Sequence, residues 1–552
     1  MWKGRLLRAT TLAALLAGFV AMLLGIRHSG TPGWDATGHA FAALRMAQAL
    51  RDLDLARFFE QFHLSDFYPP VGRLGYVLAF LLDGNGFFAP RAINALAWVA
   101  SIGLATRIAR HLVPREAGDT AAFFTAVLGL TSWVGIVYAR CTYTEPWSAL
   151  ANCAAILLYL RARRSGRKLD AALVGLALGL ALLVKYTYGL QLAAAVGLTG
   201  LLELFRREDR ARTVRGGAGL ALGVLAVLSW WFVLPLPYGF ATGTAHRVAF
   251  QLYLTKAADL PTLGPEFLLV AWPVMGFLSL AACALQLAAF AWGAVRWRSE
   301  AHRMCLFLGL IGPIAFAVYP FRIDRFLIPA LPAGWALAGG LASLGIARCA
   351  PRARLAAGAA LLALLLGTAG LGAESLLRFA FPNLPEVLPE ATRQNLAAWR
   401  HPYAFRRAPG AGPAGTEEVL DFAAAHMDPG QPFGWIGGTG TELPLALVQW
   451  TLFKTSGDEH ALWREPDPQD HFWQDPLWDE TAFRAWAARF PQVVTLDPPD
   501  PRDRKGRDFE RTFVAWMKRD PDFEASAHAA VTLDGARPHE VTVYRRSAGA
   551  TR

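Results

Sequence analysis

Long apolar runs and short polar stretches alternate over the first two thirds of the chain, which turns polar after about residue 374. The first apolar run covers Leu12 to Ile26, and further runs are long enough to cross a bilayer as helices. They lie at about residues 91–112, 118–138, 145–162, 169–184, 186–205, 215–234, 266–295, 303–320, 325–347 and 354–373. The pattern predicts a mainly α, polytopic membrane protein with about eleven transmembrane helices.

The first polar stretch, residues 27–90, separates the first span from the second. Between His39 and Leu55 the apolar residues recur every three to four positions, which predicts an amphipathic helix lying on the outer membrane surface. Val71 to Leu82 is apolar but too short to cross, so we expect an interfacial or re-entrant helix there. This stretch is therefore predicted to be the first extracytoplasmic loop.

The net charge of +11 is concentrated in short basic clusters between the spans. These clusters are Arg161–Lys168, Arg206–Arg215, Arg296–Arg303 and Arg348–Arg354. If Val71–Leu82 does not cross the membrane, the positive-inside rule places every cluster and the N-terminus in the cytoplasm. The sequence thus predicts a multi-pass protein of the inner (plasma) membrane, in contact with the lipid bilayer, and no nucleic-acid partner.

The polar tail differs in composition from the membrane part, and we place the domain boundary between residues 374 and 375. Residues 375–552 are expected to form an extracytoplasmic α/β domain, and residues 1–374 the transmembrane domain. Short strands are predicted at about 433–436, 492–496 and 541–544, and amphipathic helices at Thr416–His426 and Glu480–Phe490. An odd number of spans would place this tail outside the cell.

Asp35 follows the first span directly and is the candidate catalytic carboxylate. A carboxylate within hydrogen-bond reach of a substrate hydroxyl or amine can remove its proton. Such general-base catalysis typically accelerates a reaction by about 10²–10⁴-fold. The alternative is a solvated loop aspartate with no such role. Three neighbours, His39, His63 and Asp66, also carry groups that can ligate metals, but no recognised ligand spacing is present. We therefore assign no metal site and leave a divalent metal open as a cofactor.

Several charged or aromatic residues fall at the predicted outer ends of spans, at the level of the lipid headgroups. They are Tyr68, Arg140, Glu145, Lys185, Arg322 and Arg325, which we name as candidate substrate-binding residues. Arginine suits two phosphate oxygens at once, whereas lysine acts as a point charge. The alternatives are that the basic side chains only extend to lipid headgroups and that Glu145 pairs with Arg140.

Five sequence features in order resemble motifs of the glycosyltransferase C superfamily. Asp35 lies just beyond the first span, and Tyr68-Pro69-Pro70 stands where the family usually has His-Pro-Pro. Arg140 to Pro146 resembles an Arg-x-x-x-x-Asp/Glu-Pro motif, and Gly175 to Lys185 resembles Gly-Leu-x-x-Gly-Leu-Ala-x-x-x-Lys. Tyr319 to Pro332 resembles a stretch containing Arg-Tyr-Leu-Leu-Pro-x-x-Pro. The most similar branch is the protein O-mannosyltransferase and aminoarabinose-transferase group, which includes the RgtA/B/C/D-like enzymes.

This resemblance implies an inverting glycosyltransferase that moves a hexose or pentose from a polyprenyl-phosphate sugar. The acceptor would be a lipid, glycan or protein of the cell envelope, on the extracytoplasmic side. Two other readings stay open. A flippase or transporter of lipid-linked saccharides is one, although we detect no internal repeat. An inactive membrane scaffold whose tail binds a partner is the other, because Ala36 stands where the family often has glutamate.

Overall fold

The computed structural model describes most of the predicted membrane part and the core of the tail. The described residues are 2–27, 34–63, 71–84, 86–205, 207–233, 280–318, 324–369, 415–436, 445–456, 480–497, 507–532 and 538–547. They form two compact units. Unit 1 comprises Met1–Arg27, Asp54–Leu82 and Phe88–Phe405, and unit 2 comprises His28–Leu53, Asp83–Phe87 and Arg406–Arg552. The boundary expected between 374 and 375 lies outside the described residues and stays a prediction.

Unit 1 is helical throughout its described residues. Its helices are α1 (Trp2–Ile26), α3 (Leu55–His63), α4 (Val71–Asp83, whose last residue belongs to unit 2), α5 (Phe88–Leu112), α6 (Gly118–Thr131), α7 (Trp133–Ala139), α8 (Glu145–Ser165), α9 (Lys168–Val184), α10 (Tyr186–Leu204), α11 (Arg207–Val233), α12 (Leu280–Val295), α13 (Glu300–Val318), α14 (Leu331–Arg348) and α15 (Arg354–Ala369). Short 3₁₀ turns occupy Arg115–Ala117 and Asp324–Leu327.

Two of the described helices, Gly4–Ile26 and Phe88–Leu112, are long and apolar enough by themselves to cross a membrane. Shorter apolar helices cover Thr213–Val227, Ala281–Val295 and Arg354–Gly367. The number of about eleven spans therefore stays a prediction. The predicted span at 118–138 is wrong as a single helix, because Ser132 is extended (φ −75°, ψ 99°) and separates α6 from α7.

Close helix contacts in unit 1 depend on glycine. A Cβ atom on Gly175 of α9 would lie 2.1 Å from the carbonyl oxygen of Leu220 on α11. A Cβ atom on Gly223 of α11 would lie 2.2 Å from the carbonyl oxygen of Ala172 on α9. Small residues allow two backbones to approach each other, as is common between membrane helices. The α9–α11 contact thus depends on the absence of side chains at both positions.

A buried ion network joins three helices at one end of unit 1. Glu203 of α10 accepts hydrogen bonds from Tyr159 (2.9 Å) and Arg303 (2.8 Å), and its second oxygen lies 3.2 Å from Arg163. Arg163 also donates to Glu300, at 2.9 and 3.1 Å. Glu203 and the Arg303 side chain are almost wholly buried, so the attraction between them is weakly screened. The network ties α8, α10 and α13 together.

Unit 2 contains a four-stranded sheet with the order β1-β2-β4-β3. The strands are β1 (Phe433–Ile436), β2 (Gln492–Asp497), β3 (Phe523–Thr532) and β4 (Pro538–Arg546), with β1 and β2 parallel and the other pairs antiparallel. The helices are α2 (Trp34–Arg51), α16 (Thr416–His426), α17 (Leu445–Ser456), α18 (Glu480–Ala487) and α19 (Arg507–Met517). Each of the three predicted strand segments coincides with an observed strand; β3 was missed.

The aromatic residues of the tail that are described in full serve mainly as core. Trp435 is fully buried in β1, and Trp486, Phe490 and Phe513 belong to one cluster around β2. Gly434 leaves room for this packing, because a Cβ atom there would lie 2.9 Å from the ring of Trp486. These rings stabilise the α/β unit by burial. The side of the membrane on which the unit lies stays a prediction.

Helix α2 differs from the amphipathic surface helix expected over His39–Leu55. It begins at Trp34, five residues earlier, and groups with unit 2, where it contacts α17. Most of its side chains from residue 36 onward are buried, including the polar side chain of Gln48. Apolar periodicity identified the helix but not its surroundings.

We expect Gly175→Ala to destabilise unit 1 by several kcal/mol, because the new methyl group would overlap backbone atoms of α11 and force the helices apart. The measurement is the unfolding midpoint of the purified protein in detergent. Gly345→Ala in α14 is the matched control, since nothing lies within 4 Å of its added Cβ. Equal midpoints for the two variants would contradict the close approach.

We expect Glu203→Ala to lower the free energy of unfolding by roughly 3–5 kcal/mol, because it leaves Arg303 buried without its carboxylate. Denaturant titration in mixed micelles would measure the change. Arg161→Ala serves as control: Arg161 pairs with Asp170 at 3.0 Å, but its side chain is 65% exposed, so a change within about 1 kcal/mol is expected. A comparable decrease in the free energy of unfolding in both variants would contradict a larger stabilising contribution from Glu203.

Candidate active site

Glu145, Lys185 and Arg325 meet in unit 1, although they come from three separate segments of the chain. The Lys185 amine donates to Glu145 Oε1 at 2.9 Å, and Nε of Arg325 lies 3.5 Å from the same oxygen. All three residues are buried, Glu145 completely. Residues 40 to 180 positions apart therefore form one charged cluster, which we call the Glu145 cluster.

The local backbone explains how each of these side chains reaches the cluster. Glu145 begins α8 and is followed by Pro146, whose missing N–H and fixed φ suit the first turn of a helix. Lys185 is an extended residue (φ −162°, ψ 120°) that separates α9 from α10. Arg325 lies in the 3₁₀ turn that precedes α14. The two cations thus come from breaks between helices.

Aromatic rings surround the two cations. The Arg325 guanidinium lies 4.4 Å from the centre of the Tyr143 ring, and the Lys185 amine lies 5.0 Å from that of Tyr188 and 5.3 Å from that of Phe326. The Tyr188 hydroxyl also donates to Glu145 Oε1 at 2.9 Å. Cation–π contacts and the carboxylate together offset the burial of two positive charges.

The loop from Arg140 to Thr144 is held from two sides. The Asn94 amide of α5 donates to the carbonyl oxygens of Tyr138 (3.2 Å) and Cys141 (2.7 Å). The Tyr76 hydroxyl of α4 donates to the carbonyl oxygen of Tyr143 at 2.7 Å. Side-chain hydrogen bonds to backbone satisfy polar groups that the helix break leaves inside the protein. The short α4, predicted as an interfacial or re-entrant helix, therefore supports the cluster.

Several cations are buried around this loop. Burial raises the pKa of the Cys141 thiol, whereas nearby cations act in the opposite direction because they favour the thiolate. These cations are Arg91, Arg140 and Arg325. Arg140 itself packs against the last turn of α1, since a Cβ atom on Gly25 would lie 2.6 Å from its guanidinium. Arg91, Arg140 and Arg325 are all buried, so this loop lies among several buried cations.

Three further predicted site residues have side chains outside the described part of the chain. Tyr68 and Arg322 lie outside the described residues. Asp35 is in the first turn of α2 in unit 2; its side chain also lies outside the described residues. No group of three or more metal-ligating side chains occurs among the residues that the structure describes. The catalytic role of Asp35 and the substrate-binding roles of the other residues stay predictions.

Sequence reasoning missed Arg91, Tyr188 and Phe326 as members of this site. Arg91 is a buried charge at the start of a long apolar helix, and such a charge usually has a partner or a function. Tyr188 follows Lys185 by three residues, a spacing that places two side chains on the same side of a helix start. Phe326 stands at the tyrosine of the Arg-Tyr-Leu-Leu-Pro-x-x-Pro motif, but only Arg322 and Arg325 of this stretch were named as site residues.

Comparisons with known proteins agree with this architecture. Residues 68–231 match the family described as dolichyl-phosphate-mannose-protein mannosyltransferase. No protein with a curated description matches the chain.

Two solved structures of ArnT from Cupriavidus metallidurans are similar in fold. One is bound to undecaprenyl phosphate (16% identity, TM-score 0.58) and one is in the apo state (14% identity, TM-score 0.58); each similarity covers 97% of this chain and 98% of ArnT. An oligosaccharyltransferase from Archaeoglobus fulgidus, in complex with zinc and sulfate, shares 12% identity over 94% of this chain and 72% of its own, with a TM-score of 0.50. At these identities the similarity concerns the fold. The family match and the shared fold together confirm the predicted resemblance to the glycosyltransferase C superfamily.

Proposed function

We propose that the protein is an inverting glycosyltransferase that uses a polyprenyl-phosphate sugar as donor. The observation that carries this proposal is the Glu145 cluster, where several buried cations gather at the segments that bear the superfamily motifs. Burying positive charge is expensive, and an anionic ligand would compensate it. The ArnT structure with undecaprenyl phosphate supports a lipid phosphate as that ligand.

In the proposed reaction the acceptor's hydroxyl or amine attacks the anomeric carbon of the sugar. The bond from that carbon to the phosphate oxygen breaks, and the polyprenyl phosphate departs with the bonding electrons. Lys185 and Arg325 would stabilise the negative charge that develops on the departing phosphate. Asp35 would remove the proton from the acceptor. A single displacement inverts the configuration at the anomeric carbon.

Glu145 has a positioning role in this proposal. Its Oε1 atom receives the Lys185 amine and the Tyr188 hydroxyl, so it fixes the amine at the break between α9 and α10. Ammonium and guanidinium carry three and five N–H donors, so both groups are suited to contact phosphate oxygens. The acceptor is proposed to be a lipid, glycan or protein of the cell envelope, reached from the extracytoplasmic side.

We expect Asp35→Asn to lower sugar transfer by about 10²–10⁴-fold while the protein still folds and inserts, because an amide cannot accept the acceptor's proton. The assay is purified enzyme with radiolabelled polyprenyl-phosphate sugar and cell-envelope extract. Asp52→Asn, just beyond the end of the same helix, is the control and should keep wild-type activity. Full activity in the Asp35 variant would remove the proposed mechanism.

The same assay separates the proposed enzyme from the other two readings. Movement of the intact lipid-linked sugar across proteoliposomes without transfer would identify a flippase. Neither transfer nor translocation, with all envelope acceptors supplied, would favour an inactive scaffold.

We expect Lys185→Gln to reduce sugar transfer at least ten-fold, because it removes a cation that would contact the donor phosphate. Loss of one partner of a buried charge pair typically costs about 2–5 kcal/mol. The double variant Glu145→Gln/Lys185→Gln tests the alternative. The alternative is that Lys185 serves only to neutralise the buried carboxylate of Glu145. In that case, replacing both charged groups should restore sugar transfer. We expect no restoration, and recovery in the double variant would assign the pair a purely structural role.

A further inference from the structure

A second candidate site lies at the other end of α8 from the Glu145 cluster. Arg163 follows Glu145 by eighteen residues on this helix, so the two ends are roughly 27 Å apart, close to the thickness of a bilayer's hydrocarbon core. A cavity of about 420 Å³ opens there between α8, α9, α10 and α11. Its size falls within the range of about 300–1,000 Å³ that is usual for small-molecule sites.

The inner walls of the cavity are apolar. They are formed mainly by Ala171, Val174, Val196, Leu201, Leu204 and Leu220. Uncharged polar groups are rare in the lining, and the two present, Tyr159 and Thr213, already contact Glu203. This leaves little to recognise a sugar or a base by hydrogen bonds, so the cavity suits a hydrocarbon chain.

Four glycines create the open volume: Gly197 and Gly200 on α10, and Gly216 and Gly217 on α11. A Cβ atom added to any of them would meet nothing within 4 Å. They differ in this from Gly175 and Gly223, whose hydrogens face a neighbouring backbone. Glycine inside a helix is less stable than alanine, and helix packing does not require it at these four positions.

Positive side chains line the cavity together with these apolar walls. Arg163, Arg167, Lys168 and Arg215 stand against one carboxylate, Glu203, which is already neutralised by Arg163 and the buried Arg303. Arg167 and Lys168 are exposed, and no ion pair holds either of them among the described residues. These cations belong to the clusters that the sequence places on the cytoplasmic side.

We propose that this cavity binds one anionic phospholipid from the leaflet at that end of the helices. An acyl chain would fill the apolar volume, and the phosphate would contact Arg167, Lys168 and Arg215. Basic pockets between membrane helices on this side are suited to anionic headgroups. A free phosphate would leave the apolar volume empty, whereas a phospholipid satisfies both features. The proposal is independent of sugar transfer, since the site lies one membrane thickness away from the Glu145 cluster.

The first test removes the charges. The full-length protein would be purified in mild detergent, titrated with phosphatidylglycerol and analysed by native mass spectrometry. We expect Arg167→Ala/Lys168→Ala to weaken binding roughly 30-fold, as each basic residue near an anionic headgroup contributes about a five-fold change in affinity. Arg348→Ala/Arg352→Ala, which removes two exposed cations of another basic cluster, should bind as the wild type does. An equal loss in both double variants would overturn a specific site.

The second test fills the cavity without changing its charge. Gly200→Leu projects a side chain into open space and should abolish retention of the lipid while the protein stays folded. Gly103→Leu on α5 is the matched control, because its added Cβ is equally unobstructed and lies outside the cavity. Unchanged phosphatidylglycerol binding in the Gly200 variant would overturn the proposal. Preferential retention of a polyprenyl phosphate by the wild type would also overturn it.

Discussion

The carboxylate of Glu145 is the constraint on which the membrane part of the candidate site depends. It is completely buried, and a buried carboxylate is tolerated only when cations and hydrogen-bond donors surround it. Lys185 and Tyr188 supply these groups from the junction of α9 and α10, and Arg325 supplies them from the turn before α14. One charge in the first turn of α8 thus fixes the relative positions of three distant chain segments.

Helix α8 carries a charged cluster at each end, and the two clusters differ in the backbone segments that supply their cations. At the far end, Glu203 is contacted by Arg163, Arg303 and the Tyr159 hydroxyl, all from regular helices. Its two oxygens are shared among several donors, which makes that network structural. Around Glu145, Lys185 and Arg325 come instead from breaks between helices. Similar residue types therefore serve packing at one end of the helix and proposed chemistry at the other.

Local sequence signals predicted the elements of this fold better than their surroundings. The break at Lys185 was predicted within one residue on either side, because a lysine interrupts two apolar runs that are each long enough for a helix. The span predicted to begin at residue 145 likewise starts where α8 starts. The break at Ser132 was not predicted, since no proline or charge interrupts the apolar run there. Burial of α2 was missed as well, because periodicity shows that one face is apolar but not what packs against the polar face.

The position of the cations within the Glu145 cluster favours a role beyond packing. Lys185 is the single extended residue between two helices, and Arg325 lies in a 3₁₀ turn; neither is held within a regular α-helix. Functional groups are often found on short irregular segments that rigid elements hold in place. Here α9, α10 and α14 are the rigid elements, and the aromatic rings of Tyr143 and Phe326 limit the directions in which the cations can point. A purely structural ion pair would need no such breaks, because helix faces already join Glu203 to its arginines.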